Sequence, residues 1–358
     1  MKQAGAEGSY TRRVLITAGI AAVFLTLVVF LWRTAHVLLV FFAAILLAVL
    51  LDGLRALVQR VVSIPRLVAL SLVIGVFATA LAAFGWVIGP RVANQVSELV
   101  TRIPTAIDHI GALLREQTWG RVLLETLPDP SRIMPPATGI LAPISGVFSS
   151  ALGALTNMAI IVVVGVYLAV EPGPYTNGAL RLLPIRARNR GDEVLQALRH
   201  ALQWWLMGRV VSMGAVGVLT TLGLWLIDVR LALALGLIAG LLSFVPYLGP
   251  ILSAIPAILV ALVDSPVQAV YVVFVYGAVQ FLEGNLITPI VQERAVSLPP
   301  AVLLMAQLAM AVSFGLMGVL LATPFAVVAI ALIQMLYIRD TLGDPIAVLG
   351  EHGHRAQG

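Results

Sequence analysis

Residues 232–260 read ALALGLIAGLLSFVPYLGPILSAIPAILV, a long apolar stretch that is broken near its middle. The whole apolar run, 231–263, would extend about 50 Å as one straight helix, whereas the hydrocarbon core of a bilayer is about 30 Å thick. Proline inside a helix leaves a carbonyl without its donor, and such backbone is tolerated at membrane depth only where protein or a cavity surrounds it. We therefore predict a re-entrant helical hairpin with its tip at 244–250; a proline-kinked full span is the alternative. The residues that break the helix are Pro246, Gly249 and Pro250.

A second stretch later in the chain resembles the first. Residues 301–328 read AVLLMAQLAMAVSFGLMGVLLATPFAVV, and one ordinary span, 210–227 or 266–282, precedes each stretch. We predict that the second stretch also forms a hairpin, which turns at 313–318. One span plus one hairpin gives an odd number of crossings, so the two repeats would be inverted, as they are in many secondary transporters. The matched positions are Ser243-Phe244 with Ser313-Phe314, Gly249 with Gly318, and Pro256 with Pro324.

The composition also indicates a membrane protein. The chain of 358 residues is 60% hydrophobic and 11% charged, whereas soluble domains carry about 25% charged residues. Its apolar runs are continuous rather than alternating, which excludes the strands of a membrane barrel. The predicted fold is an all-α polytopic membrane protein, with about six spans plus two re-entrant hairpins, or about eight spans if both stretches are kinked spans. Its first partner is therefore the lipid bilayer.

The placement of basic residues sets the predicted topology, because arginine and lysine collect in cytoplasmic loops. The basic N-terminus is predicted to be cytoplasmic, and residues 171–209, with six arginines and three acidic residues, give the strongest cytoplasmic signal. The first two spans, 14–32 and 36–51, are predicted as a tight pair, and both termini would lie in the cytoplasm of a bacterial inner membrane. The predicted segments are 1–89 with spans 1 to 3, 90–146 as an external amphipathic helical segment, 147–170 as span 4, 171–209 as an Arg-rich cytoplasmic helical segment, 210–338 as the transport core with its two repeats, and 339–358 as a flexible cytoplasmic tail.

Several classes of function are disfavoured by residue types alone. The chain has no cysteine, its five histidines form no HExxH spacing, and Lys2 is its only lysine, which rules out a GxxxxGK[ST] phosphate loop. The net charge of +5 is explained by arginines beside the spans, so nucleic-acid binding is not predicted. We accordingly predict no enzyme activity, no cofactor and no metal site.

Three motifs follow one another in the C-terminal half. They are FVPYLGP at 244–250, QFLEGNLITP at 280–289 and FGLMGVLLATP at 314–324. In order and spacing they resemble the autoinducer-2 exporter (AI-2E) family of bacterial permeases, over about residues 10–340 in layout and specifically over 240–326. The resemblance implies transport of a small polar solute, a furanosyl signalling molecule in one branch, and assembly as a homo-oligomer. Other branches of the family resemble sodium/proton antiporters.

Glu283 is the leading candidate for a functional side chain, because a charge beside a long apolar span is functional by default. It would carry a proton or a cation, or accept hydrogen bonds from solute hydroxyls; a helix C-cap in the headgroup zone is the alternative. Gln280 and Gln307 lie within apolar runs, which favours hydrogen bonds between helices. Tyr247 would line a sugar-like site or anchor the chain at the interface. The predicted pathway residues are Glu283, Asn285, Thr288, Tyr247, Gln280 and Ser313, and the predicted hinge and tip residues are Pro246, Gly249, Pro250, Gly284, Pro289, Gly315, Gly318 and Pro324.

These residues leave three functions open: export of a small polar organic solute, cation/proton antiport, and a membrane scaffold without transport. The broken helices argue against a scaffold, which has no need for unpaired backbone at membrane depth. Antiporters usually carry buried acids for ion binding, and here Glu283 is a single candidate. The organic solute is therefore the favoured substrate class.

Overall fold

The computed structural model describes residues 4–87, 156–289 and 299–344, together with positions 90, 94 and 153. These residues are largely helical and include no strand, which confirms the predicted all-α class. Four of the described helices are long and apolar enough to cross a membrane, or five if a pair bent by 84° counts as one span. The helices are α1 Ala4–Val61, α2 Arg66–Val87, α3 Thr156–Val170, α4 Pro172–Arg181, α5 Arg188–Leu226, α6 Ala232–Leu242, α7 Leu248–Asp264, α8 Pro266–Leu282 and α9 Pro300–Leu332, with π-helical extensions of α8 over Glu283–Ile287 and of α9 over Ile333–Arg339.

The first hairpin consists of α6 and α7. Its turn is closed by backbone hydrogen bonds from Val245 to the Leu242 carbonyl and from Gly249 to the Val245 carbonyl, both 3.0 Å. Tyr247 has a positive φ of 63°, which turns the chain into α7. A Cβ atom at Gly249 would overlap the Leu242 carbonyl, so only glycine permits this approach of the two arms.

The two ends of this hairpin lie at the same level of the molecule. Gln268, in the first turn of α8, donates from Nε2 to the carbonyl of Ile227 at the end of α5, at 3.1 Å. The start of α6 and the end of α7 also share one buried cluster, which contains Leu235 and Val260. The end of α7 therefore lies beside the start of α6, as in the predicted hairpin, whereas a kinked full span would place these ends far apart.

The second hairpin lies within α9, whose helix is broken at Gly315 (φ 60°, ψ −142°). A Cβ atom at Gly318 would overlap the carbonyl of Met310, although eight residues of straight helix would separate these positions by about 12 Å. The chain thus folds back between them, inside the predicted tip at 313–318. The inverted relationship of the two hairpins, and the number of crossings, stay predictions.

Helix α5 packs closely against α6 and antiparallel to α8. Gly236 and Gly240 have the spacing of a small-residue interface and lie against the backbone of Thr221 and Gly217, respectively. Close backbone approach of this kind is the usual way in which membrane helices gain van der Waals contact, because lipid gives no hydrophobic drive. This packing fixes the first hairpin against the helix that carries Arg209.

Two predicted boundaries fall inside continuous helices. Helix α1 runs through residues 33–36 without the predicted turn between spans 1 and 2, because no glycine or proline occurs from 20 to 52. Helix α5 is continuous across residue 209, so the predicted cytoplasmic segment and span 5 share one helix. Of the predicted external segment 90–146 only positions 90 and 94 are described, and the tail beyond residue 344 lies outside the described residues.

Candidate functional site

Glu283 lies at the end of α8, where the helix widens into its π-helical extension. Its Oε1 atom accepts hydrogen bonds from Ser212 Oγ at 2.7 Å and from Thr288 Oγ1 at 3.2 Å. The same oxygen is 3.5 Å from Nη1 of Arg209 on α5. With 18% of its side chain exposed, Glu283 is enclosed but not sealed from the surface.

The buried guanidinium of Arg209 connects Glu283 to the tip of the first hairpin. Its Nε atom donates to the carbonyl of Phe244 at 3.1 Å, and its Nη2 atom donates to the carbonyl of Ser243. One side chain of α5 thereby holds the hairpin tip beside the end of α8. We call the four side chains Arg209, Ser212, Glu283 and Thr288 the tip cluster.

The carbonyls at the tip are paired within the protein rather than open. Arg209 donates hydrogen bonds to the carbonyls of Ser243 and Phe244. The carbonyl of Pro246 accepts from the Leu248 amide at 2.7 Å and from Gln307 Nε2 at 3.1 Å. The broken helix therefore recovers its lost hydrogen bonds from long side chains of α5 and α9. An unpaired buried carbonyl would lower the stability of the fold by about 1–3 kcal/mol. The side chains of Arg209 and Gln307 avoid that loss, because they donate to the tip carbonyls.

Two amide oxygens near the tip have no hydrogen-bond partner among the described residues: Oε1 of Gln307 and Oε1 of Gln280. Gln307 is fully buried, and its Nε2 is fixed by the Pro246 carbonyl, so Oε1 must point elsewhere. Tyr276 donates to the Ser253 carbonyl at 3.1 Å, which sets the register of α8 against α7. Gln280 follows Tyr276 by one turn and so lies at about the level of the tip. Within the described residues, both oxygens are thus buried acceptors without a donor.

The structure brings only some of the predicted pathway residues together. Glu283 and Thr288 share a hydrogen bond, and Asn285 instead donates to the carbonyl of Phe281 at 2.9 Å, as a helix-terminal contact. Tyr247 and Ser313 are exposed, and among the described residues neither of them is a hydrogen-bond partner of Glu283. Of the predicted hinge residues, Pro246, Gly249, Pro250, Gly315 and Gly318 lie at the two tips, Gly284 lies within the π-helical extension, Pro289 follows it, and Pro324 is buried inside the second arm of α9.

Sequence reasoning missed Arg209 and Ser212. The charge pattern places Arg209 among the cytoplasmic arginines, although it lies inside the largely apolar run 201–227, where a charge is a functional candidate. That position was the available signal, whereas the partner at Glu283, 74 residues away, gave none. Within the described ranges no three His, Asp or Glu side chains come close enough to hold a metal ion.

The sequence profile of the AI-2E family transporters matches residues 20–338, which include every helix that forms the tip cluster. The chain belongs to the AI-2E family. The predicted resemblance is thus confirmed. Family membership and the apolar helices together make this AI-2E protein a permease-type, multi-pass membrane transporter.

Three relatives show how far the similarity extends. YueF of Bacillus subtilis (strain 168) is 27% identical over 280 residues, which cover 74% of this chain and 75% of YueF. YhhT of Escherichia coli (strain K12) is 24% identical over 299 residues, or 80% of each chain. The AI-2 transport protein TqsA of Escherichia coli (strain K12) is 24% identical over 331 residues, which cover 88% of this chain and 89% of TqsA. The alignments span most of both chains, so the similarity concerns the whole protein rather than one motif.

Proposed function

We propose that this AI-2E transporter exports a small, uncharged, hydroxyl-bearing organic solute, which passes between the first hairpin tip and the end of α8. The observation that carries the proposal is the pairing of Glu283 with Arg209 in the tip cluster. It leaves a site without net charge but rich in hydrogen-bonding groups, and a neutral polar molecule is the ligand that such a site suits.

The charge balance at the tip cluster opposes a cation as the main substrate. A sodium ion bound to Glu283 would lie close to the guanidinium of Arg209, which is 3.5 Å from the same carboxylate oxygen. Two like charges about 4 Å apart repel by about 4 kcal/mol at an effective dielectric constant of about 20. Sodium/proton antiport, the alternative function, would require Arg209 to move away in every cycle.

A solute with several hydroxyl groups finds both donors and acceptors near the tip. The oxygens of Gln280 and Gln307 have no donor among the described residues and would accept one from a solute, and Glu283 accepts from hydroxyl groups already. Ser212 and Thr288 have hydroxyls that can turn to donate. The name of TqsA as an AI-2 transport protein supports this substrate class, and AI-2 itself is the first molecule to test.

The test uses inside-out membrane vesicles, in which export is observed as uptake. We expect uptake of AI-2 or of another neutral polyol, and a fall to background in Glu283→Gln. Asp228→Asn is the matched control, because Asp228 is an exposed acid beside the same hairpin and asparagine tolerates its positive φ of 56°.

A second measurement on the same vesicles separates the two transport functions. A pH-sensitive dye reports whether a sodium gradient drives proton movement. Sodium-driven proton flux that disappears in Glu283→Gln, with no uptake of any neutral solute, would reject solute export in favour of antiport.

A further inference from the structure

A second polar cluster, which shares no residue with the tip cluster, joins α1, α2 and α5. Its centre is Asp52 on α1, a carboxylate with only 8% of its side chain exposed. Oδ1 of Asp52 is 2.8 Å from Nε of Arg55 and 3.9 Å from Nη2 of Arg66, and Oδ2 contacts Nη2 of Arg199. We call these four side chains the Asp52 cluster.

The Asp52 cluster carries an excess of positive charge. Three guanidinium groups surround one carboxylate, and in the described part of the chain Asp52 is the only acid within ion-pair distance of any of them. Arg55 is largely buried, and it donates from Nε to Asp52 and from Nη1 to Gln59. The cluster thus has a net charge of about +2, and Arg66 and Arg199 are the arginines that can present it to a ligand.

Arg66 and Arg199 are the accessible members of the cluster, with 44% and 50% of their side chains exposed. Each guanidinium has five N–H donors, of which Arg199 directs only Nη2 to Asp52 and Arg66 directs Nη2 to Asp52 and the Ala169 carbonyl. The remaining donors have no partner among the described residues and could bind a ligand. Because one arginine contacts Oδ1 and the other Oδ2, a single carboxylate holds both groups within reach of one anion.

The surface around this cluster is apolar and exposed. The end of α1 and the start of α2 present large hydrophobic side chains outward, as expected where a membrane protein meets acyl chains. Basic pockets between membrane helices, next to such a surface, suit the head group of an acidic lipid. The exposed side chains are Leu57, Val61, Val62, Leu67 and Val68.

We propose that the Asp52 cluster binds the phosphate of an anionic phospholipid, with Arg66 and Arg199 as the ligands and Asp52 as the group that positions them. Guanidinium groups bind phosphate oxygens through paired, charge-assisted hydrogen bonds. The acyl chains would lie along the apolar ends of α1 and α2. Since the lipid would bridge residues of α2 and α5, it would also join the N-terminal helices to the transport core.

The experiment measures lipid binding to the purified full-length protein by native mass spectrometry and thermal unfolding. The probes are phosphatidylglycerol, phosphatidylcholine as the zwitterionic lipid, and inorganic phosphate. We expect phosphatidylglycerol alone to bind and to raise the Tm. Arg66→Gln should weaken its binding about fivefold and Arg66→Gln/Arg199→Gln about 30-fold, as expected for one and two charges.

The control variant Arg186→Gln/Arg230→Gln removes two exposed arginines elsewhere and should bind like the unchanged protein. Arg66→Gln keeps the test valid if the double variant fails to fold, because Arg66 is the most distant partner of Asp52. Equal loss in the control variant would reduce the effect to net charge and overturn the proposal. Binding of phosphatidylcholine as tight as that of phosphatidylglycerol, or a Tm rise with phosphate but not with lipid, would overturn it as well.

Discussion

Arg209 lies 3.5 Å from Glu283, and the same guanidinium donates to two carbonyls at the tip of the first hairpin. A single side chain thus ties a broken helix to the end of α8. Neither group can move alone without leaving the other partly unpaired in a buried place. The positions of the hairpin tip and of Glu283 therefore depend on each other through Arg209, and the first prediction rests on this dependence.

Arg209→Gln should lose transport and stability together. The variant leaves Glu283 without its positive partner, and breaking a buried pair by removal of one member costs about 3–5 kcal/mol. The double variant Arg209→Gln/Glu283→Gln should regain part of that loss, because it has no uncompensated charge. Thermal unfolding in one detergent measures the loss of stability in Arg209→Gln and its recovery in the double variant, and vesicle uptake measures transport. A double variant no more stable than Arg209→Gln would show that the two side chains are not coupled.

Gly249→Ala and Gly318→Ala should both prevent normal folding. A Cβ atom at either position would overlap a backbone carbonyl of the facing arm, at Leu242 and Met310, and backbone cannot move aside cheaply. We expect reduced yield and aggregation on size-exclusion chromatography. Gly277→Ala is the control, because nothing lies within 4 Å of its new methyl group. Wild-type yield for both tip variants would contradict the closed hairpins.

Cysteines introduced at Asp228 and Asp264 should react with a membrane-impermeant reagent from the same side of the membrane. The hydrogen bond between Gln268 and Ile227 places the two ends of the first hairpin at one level. Labelling in right-side-out and inside-out vesicles measures the sidedness. Labelling from opposite sides would establish a kinked full span instead.

The sequence was sufficient for the two helix breaks because their cause is local. Proline removes a donor and glycine permits a close approach wherever they occur, so the break at 244–250 could be predicted without knowledge of any neighbour. The partners of the tip could not be predicted in this way. Arg209 and Gln307 reach the tip from α5 and α9, and their pairing depends on how three helices pack.

The first helix shows the opposite limit of sequence reasoning. Spans 14–32 and 36–51 are predicted as a tight pair, yet the residues between them include none that breaks a helix, and α1 continues through them. Charge patterns indicate where a chain meets the membrane surface, but they do not end a helix without glycine, proline or a cap. The predicted boundary at Arg209 has the same weakness, because it rests on charge alone and α5 continues past this residue.

The last prediction concerns Gln280, whose Oε1 has no partner among the described residues. Gln280→Leu should lower solute flux while it leaves the Tm unchanged or raises it. A buried acceptor without a donor costs about 1–3 kcal/mol, so its removal costs the protein nothing if the oxygen serves only a ligand. Thr220→Val is the matched control, because the buried Thr220 hydroxyl on α5 likewise has no partner in the described part of the chain. We expect this control to gain stability in the same way and to keep full flux. A lower Tm for Gln280→Leu would assign Gln280 to helix packing, and equal flux in both variants would remove it from the solute pathway.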